Sequence, residues 1–484
     1  MKDCKTPSIL IAYPSCFHYP VWMERLEVKT SQLLLASYLA QCCSVTYADF
    51  EVSIGRPNTP TQIRRYERRV RDYFSSNDVD ILALSCWTSL SYQATITSAR
   101  IFRELYPDRL IVVGGYHPSA RPSDFISTDN LIDYVICGEG ELALQTIAES
   151  YRSSGRPTQT EIVPGPPFTA RHFVGYNWPL VDSFIREHFP DGLGNIYMYL
   201  SRGCPFGCSF CMEPLKDRHW RAFSPQDAVR EMHAAVKRYG AYAVAISDAC
   251  FGMRPAWRRE FLQRLVASDP QFWVVFETRP EYVNPDDILL LAKLKLEIQF
   301  GIESGSPEML LLMKKTRQPE KFLARFRDVS HLLSDHGILH RANMILNHPG
   351  ETRKTLEKTF ELIDTELERR ESYLMWACHG YMHFPGCELD TNRKYYEETF
   401  GSRYLSPEWW KDDEDQYENS QRFVPSRDLD GANVDLWKRM HAEREQRMKD
   451  TLAPRAFRFA ANKYFLDWRD DPRYRQSKTT MDVS

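Results

Sequence analysis

The 484-residue sequence lacks any apolar run approaching the roughly 18 residues of a membrane span, which excludes a predicted spanning helix. Its opening residues, Met1-Lys2-Asp3-Cys4-Lys5-Thr6-Pro7, have no apolar signal-peptide core, so the expected location is cytoplasmic. Twelve cysteines are too few for a disulfide scaffold in a chain of this length and fit a reducing compartment. There is no surplus of positive charge either. A net charge of -3 argues against a nucleic-acid partner. No GxGxxG and no GKS/T occurs, so neither common phosphate loop is present. What remains is an ordinary globular composition, long enough for about two to four domains.

Residues 1–154 alternate short apolar runs with amphipathic ones, the sign of parallel strands crossed over by helices. The strand candidates are Ser8 to Tyr13, Ser44 to Ala48, Asp80 to Ser85, Leu110 to Gly114 and Tyr134 to Cys137. They predict a doubly wound parallel sheet, whose ligands bind beyond the carboxyl ends of the strands. Gly115 and His117 in Gly114-Gly115-Tyr116-His117, and Glu139 in Gly138-Glu139-Gly140-Glu141, occupy such turns. Glycines there let a backbone approach a ligand closely, although tight strand-to-helix turns need them too. Residues 155–194, with Pro164-Gly165-Pro166-Pro167, read as a linker.

From residue 195 to 386 the alternation resumes with six strand-helix pairs, predicting a partial (β/α)6 barrel of TIM type. Its first strand runs into Ser201-Arg202-Gly203-Cys204-Pro205-Phe206-Gly207-Cys208-Ser209-Phe210-Cys211. Glycines and a proline make this a wrapped loop. Cys204, Cys208 and Cys211 can converge on one soft metal centre, and no second cysteine pair follows to complete a zinc site. Three thiolates on a cubane that takes four ligands leave one iron open to chemistry. Polar residues recur at the later strand ends: Ser247 and Asp248, Glu277 and Arg279, Glu303 and Ser304, Asn347 and His348, then His383. Recurrence at one end of successive strands points to a shared cavity. Residues 387–484 read as a mostly helical capping extension, with Trp409-Trp410 expected to cap the barrel mouth or pack its base.

The pattern resembles the radical S-adenosylmethionine (SAM) superfamily, in the subgroup with an amino-terminal cobalamin-binding-type domain. The residues that carry it are Cys204, Cys208 and Cys211 with Phe210, the two glycine-rich turns above, Gly301-Ile302-Glu303-Ser304-Gly305-Ser306, Pro349-Gly350-Glu351-Thr352 and Phe384-Pro385-Gly386. The resemblance implies a 4Fe-4S cluster on the three cysteines and SAM on the open iron. It also implies adenine near Phe210, Glu303 and Ser304 contacting SAM, and Arg279 as a candidate for the SAM carboxylate; Ser247 and Glu277 join them as cofactor-binding candidates. Reductive cleavage would then give a 5'-deoxyadenosyl radical that abstracts hydrogen from a small polar metabolite, with an electron donor such as flavodoxin or ferredoxin as partner.

Cobalamin stays open on the sequence, because the lower-ligand string DxHxxG is missing. With cobalamin the implied outcome is C-methylation. Without it the outcome is radical dehydration, epimerisation or oxidation of a sugar or natural-product intermediate. Cys16, Cys86 and Cys137 offer a second-cluster reading, as in the tRNA methylthiotransferases, against the simpler one of buried structural thiols. A non-enzyme reading, an iron-sulfur electron carrier, requires a fourth ligand such as Cys250, Cys378 or Cys387.

Overall fold

Strands form where aliphatic and β-branched residues run together, and the first domain follows that rule. The computed structural model describes residues 6–450 apart from 20–26, 128, 170–171, 191 and 370–371; positions 451–484 of the expected extension lie outside the described residues. Strands β1 (Ser8–Tyr13), β2 (Ser44–Asp49), β3 (Ile81–Ser85), β4 (Leu110–Gly114), β5 (Tyr134–Gly138) and β6 (Glu161–Gly165) form one parallel sheet in the order β2-β1-β3-β4-β5-β6. Alternate residues feed two cores. Leu10, Leu82, Ile111 and Val113 pack with Val70, Phe74 and Phe102 on one face, while Ile9, Ile11, Ala83 and Val112 pack with Leu39, Leu144 and Ile147 on the other. Burial on both faces is what makes these strands uniformly apolar.

β6 falls within the stretch expected to be a linker. It is an edge strand paired only with β5, and Glu161 and Ile162 are exposed. An edge tolerates Pro164, which hides the strand from a sequence reading.

The second domain opens with β7 (Asn195–Met198), followed by an antiparallel ribbon of β8 (Ser201–Arg202) and β9 (Arg221–Ala222). Then come β10 (Ala243–Ile246), β11 (Trp273–Thr278), β12 (Leu296–Glu303), β13 (Leu339–Leu346) and β14 (Leu374–Gly380). The parallel order β14-β13-β12-β11-β10-β7 follows the chain one strand at a time, with helices between, as in a partial (β/α) barrel. Ala243, Ala245, Val275, Leu339 and Met375 share an apolar floor with Tyr197 of the first strand, so the sheet curls.

After the barrel come the helices Glu388–Thr391, Arg393–Phe400, Gln416–Gln421 and Leu436–Asp450, with a small ribbon of β15 (Arg403–Tyr404) and β16 (Phe423–Val424). The tryptophan pair sits between the first domain and His383, beyond the carboxyl end of the last barrel strand, and so does not pack the barrel base. Trp409 and Trp410 are fully buried against Tyr13, Cys16 and Leu90 of the first domain. Trp410 Nε1 donates to Asp124 Oδ2 at 2.9 Å, and Trp409 Nε1 donates to the His383 carbonyl at 2.8 Å. A flat indole with one donor satisfies both apolar burial and a hydrogen bond in such a seam. Among the described residues no helix is long and apolar enough to cross a membrane.

Candidate functional site

The cysteine loop leaves the β8/β9 ribbon and is fixed by backbone bonds. Cys204 N donates to Asp217 O at 3.3 Å, Ser209 N to Met313 O at 3.0 Å and Cys211 N to Cys208 O at 3.1 Å. Cys204 is buried and the other two are partly so. The three sulfurs lie within electrostatic reach of one another. Among the described residues no three acidic, histidine or cysteine side chains converge as they would on a single metal ion. The donor set itself, three thiols on one loop, is the soft kind that an iron-sulfur cluster takes. Burial pushes the Cys211 thiol up to about 12 and raises Cys204, so a metal must displace their protons when it binds.

Two buried cations supply the countercharge. The Lys315 Nζ sits 2.9 Å from Glu303 Oε1, and both residues are buried. Arg279 donates through Nη2 to Glu281 Oε1 and to Lys315 O, each at 2.8 Å, and its guanidinium lies 4.0 Å from the Phe206 ring centre. Its Nε and Nη1 are buried without a protein partner. An unpaired buried guanidinium edge beside a thiolate loop fits an anionic ligand group. Glycine at 301 makes room here, because a Cβ would lie 2.4 Å from Glu303 Oε1 and 2.8 Å from Lys315 Nζ. The pairing of β12 with β13 shifts register between Gly301 and Glu303, and Glu303 adopts φ 72°. Strain at a strand end is tolerated where the surroundings fix the residue, and here the Lys315 pair does so.

Phe210 packs against the cluster of Tyr381, Cys387, Leu389, Tyr396 and Phe423, its ring 6.4 Å from that of His348. Burial pushes His348 down to about 4, leaving a neutral imidazole whose Nδ1 bonds the Pro349 carbonyl at 2.7 Å. Below this level the register of β11 to β14 sets Glu277 beside Gln299, Gln299 beside Arg341 and Gly301 beside Asn343, on the face that carries the apolar floor. Arg341 pairs with Glu297 at 2.8 Å, whereas Glu277 is exposed. The barrel interior is therefore polar above an apolar floor.

The carboxyl ends of both sheets face one cleft. Its empty space, including the part open to solvent, is about 1080 Å³, and its walls include Trp87, Gly115, Glu139, Arg202, Gly203 and Ser247. Gly115 adopts φ 123°, and a Cβ there would lie 2.4 Å from the Cys86 carbonyl oxygen, so only glycine fits this wall.

Two candidates are turned elsewhere. His117 is buried away from the cleft walls, with Nδ1 bonded to Ser89 Oγ at 2.7 Å and Nε2 to Asp124 Oδ2 at 3.2 Å. With both nitrogens engaged it fixes the turn and its contact with Trp410. Ser304 is likewise internal: its hydroxyl bonds Thr359 Oγ1 at 2.9 Å and accepts from Ser306 N at 3.0 Å. The second-cluster reading finds no support, since Cys16 bonds Tyr13 Oη, Cys86 contacts Thr88 O and Ser91, and Cys137 donates to Pro118 O, each in its own pocket. Sequence reasoning missed Trp87, Lys315, Arg202 and Arg221. Trp87, a 39 % exposed tryptophan in a strand-to-helix turn, was the one with a readable signal.

The Radical SAM superfamily profile matches residues 198–363 and the B12 binding domain profile residues 32–148. The uncharacterized methyltransferase PH0819 of Pyrococcus horikoshii is 25% identical over 313 residues, 59% of this chain and 64% of that protein. The cobalamin-dependent radical SAM methyltransferase TokK of Streptomyces tokunonensis is 30% identical over 149 residues, covering 27% of this chain and 22% of TokK. The chain thus spans less than two thirds of the length of these relatives. The radical SAM methyltransferase TsrM from Kitasatospora setae, solved with cobalamin and a [4Fe-4S] cluster, superposes with TM-score 0.65 at 16% identity, covering 99% of this chain and 100% of that one. At that identity the likeness is one of fold.

Proposed function

We propose, from the premise that this chain belongs to the radical SAM superfamily and carries a B12-binding domain ahead of its barrel, that it is a cobalamin-dependent radical SAM methyltransferase of a small polar metabolite. When bound, a 4Fe-4S cluster with SAM supplies a 5'-deoxyadenosyl radical and a corrinoid supplies the methyl group. One observation carries the reading: the root of the cysteine loop, Ser201 to Gly203, and the glycine-lined sheet ends stand on the walls of the same cleft.

Cys204, Cys208 and Cys211 would hold the cluster. Arg279, with two buried N–H groups unpaired, would take an anionic group of the ligand on it, and Glu303, held by Lys315, would accept from hydroxyls. Phe210 and neutral His348 would present ring edges to a heterocycle. The wall around Gly115 and the exposed ring of Trp87 would accept the flat face of the corrinoid. His117 is not placed to ligate it. The polar barrel interior, with Glu277, Gln299, Arg341 and Asn343, would orient a substrate rich in hydrogen-bonding groups while the floor excludes water. An electron donor of the flavodoxin or ferredoxin kind would deliver the reducing electron.

The test is anaerobic reconstitution with iron, sulfide and hydroxocobalamin. The expected result is a retained corrinoid absorption after gel filtration and SAM cleavage to 5'-deoxyadenosine under reductant, with cleavage lost in Cys208→Ala. Corrinoid left in the flow-through, or an active Cys208→Ala protein, would refute the assignment.

A further inference from the structure

The β8/β9 ribbon places Arg202 directly opposite Arg221. Like charges opposite each other on a ribbon repel, and an isolated two-stranded ribbon is marginal in water. The compensation comes from the other domain. Arg221 grips Glu139 with two bonds, Nη1 to Oε2 at 2.9 Å and Nη2 to Oε1 at 3.0 Å. Arg202 donates to Glu141 Oε1 at 2.6 Å, with its other nitrogen 3.8 Å from Glu139. All four side chains are largely buried, and the Arg202 guanidinium lies 5.0 Å from the Phe168 ring centre. The ribbon is also the root of the cysteine loop: Gly203 and Cys204 follow Arg202 directly. Asp217, whose carbonyl accepts from Cys204 N, pairs through Oδ2 with Arg221 Nε at 3.1 Å. Glu139, Glu141 and Arg202 line the cleft themselves.

We propose that Glu139, Glu141, Arg202 and Arg221 form an interdomain clamp that fixes the separation between the occupant of the cleft and the cysteine loop, and so act as positioning residues for transfer between two cofactors. The identity of the occupants rests on the reading above; the docking of the glutamate turn on the arginine ribbon does not. Two glutamates alternating with glycines present both carboxylates to two arginines that would otherwise repel each other. Each side therefore completes the other, and the cysteine loop takes its position from the first domain.

The decisive variant is full-length Glu139→Gln with Glu141→Gln, altered on one domain and read on the other. Backbone hydrogen exchange across residues 200–204 is expected to accelerate at least about tenfold, the scale of losing charged hydrogen bonds. Unchanged exchange there overturns the clamp. Adding Arg202→Met and Arg221→Met removes the exposed repulsion and should recover part of the protection; a further loss would overturn the electrostatic account. Far-ultraviolet circular dichroism checks that each variant folds, and the milder Glu141→Asp should give an intermediate exchange rate. With hydroxocobalamin added, the cluster reconstituted and both centres reduced to paramagnets, pulsed electron paramagnetic resonance should give a narrow interspin distance that broadens in the Gln variant. A protein that takes up no corrinoid but shows the exchange response supports the clamp and refutes only the reading of the occupant. One that takes up corrinoid and ignores the substitutions in both measurements refutes the clamp.

Discussion

Asp248 offers the sharpest quantitative test, because one carboxyl holds the end of β7 to the start of the cysteine loop. Its Oδ1 accepts from Leu200 N at 2.8 Å and Ser201 N at 2.9 Å, and its Oδ2 from Ser201 Oγ at 2.6 Å. Burial outweighs these three donors and pushes the carboxyl from 3.8 up to about 7. The raised value means that the folded state holds the proton more tightly than the unfolded chain does. The associated stability is fully present below the unfolded pKa and disappears as pH rises through the folded one. Between about pH 5 and about pH 8 the loss for this single group is roughly 2 to 3 kcal/mol. Asp248→Asn imitates the protonated form: its carbonyl keeps both backbone donors, and its amide donates to the serine hydroxyl. Urea unfolding of the metal-free protein at the two pH values should therefore show the variant losing roughly 2 to 3 kcal/mol less than the unaltered chain. Asp49 and Glu351, pushed up to about 7 and about 8 by burial, titrate in both proteins and cancel in the difference. Equal losses in the two proteins would refute the assignment of that proton to Asp248.

Cys250 lies within electrostatic reach of Cys204, Lys315 and Arg279, so it is the described thiol to test as a fourth ligand. Cys250→Ala should keep the iron content and SAM cleavage of the unaltered protein; loss of iron would sink the three-thiolate arrangement. Gly115→Ala should cost roughly 1 to 3 kcal/mol, through left-handed backbone and the clash with Cys86, and weaken hydroxocobalamin uptake, read as lower Tm and corrinoid content. An unchanged Tm would contradict it. Lys315→Met strands the buried Glu303 carboxylate and should cost about 3 to 5 kcal/mol in urea unfolding, most of it recovered by adding Glu303→Gln. Failure of that second change to rescue would place the effect elsewhere.

How much of this was legible depended on whether a residue's role follows from its neighbours in the chain. Strands buried on both faces announce themselves as aliphatic runs, and the cysteine loop carries its own spacing. The edge strand β6 did not, because Pro164 and Gly165 look like linker and its partner is needed to see otherwise. Lys314 and Lys315 are adjacent and alike in sequence. Yet the first is exposed against Glu388, and the second is buried against Glu303 because the short helix Pro307–Leu312 ends in a turn that aims it inward. Ser304 failed as a candidate for a related reason: the register shift at Gly301 and Glu303 rotates the strand end and directs that hydroxyl into Thr359. Arg202 and Arg221 gain meaning only once antiparallel pairing sets them face to face.

Seating Trp409 and Trp410 against Tyr13, Leu90 and Asp124 makes the first domain the last to be finished. On the ribosome the glycine-rich turns and the cysteine loop emerge before these two indoles. The face of the first domain that carries Tyr13 and Leu90 therefore stays uncovered until residues 409 and 410 have been made.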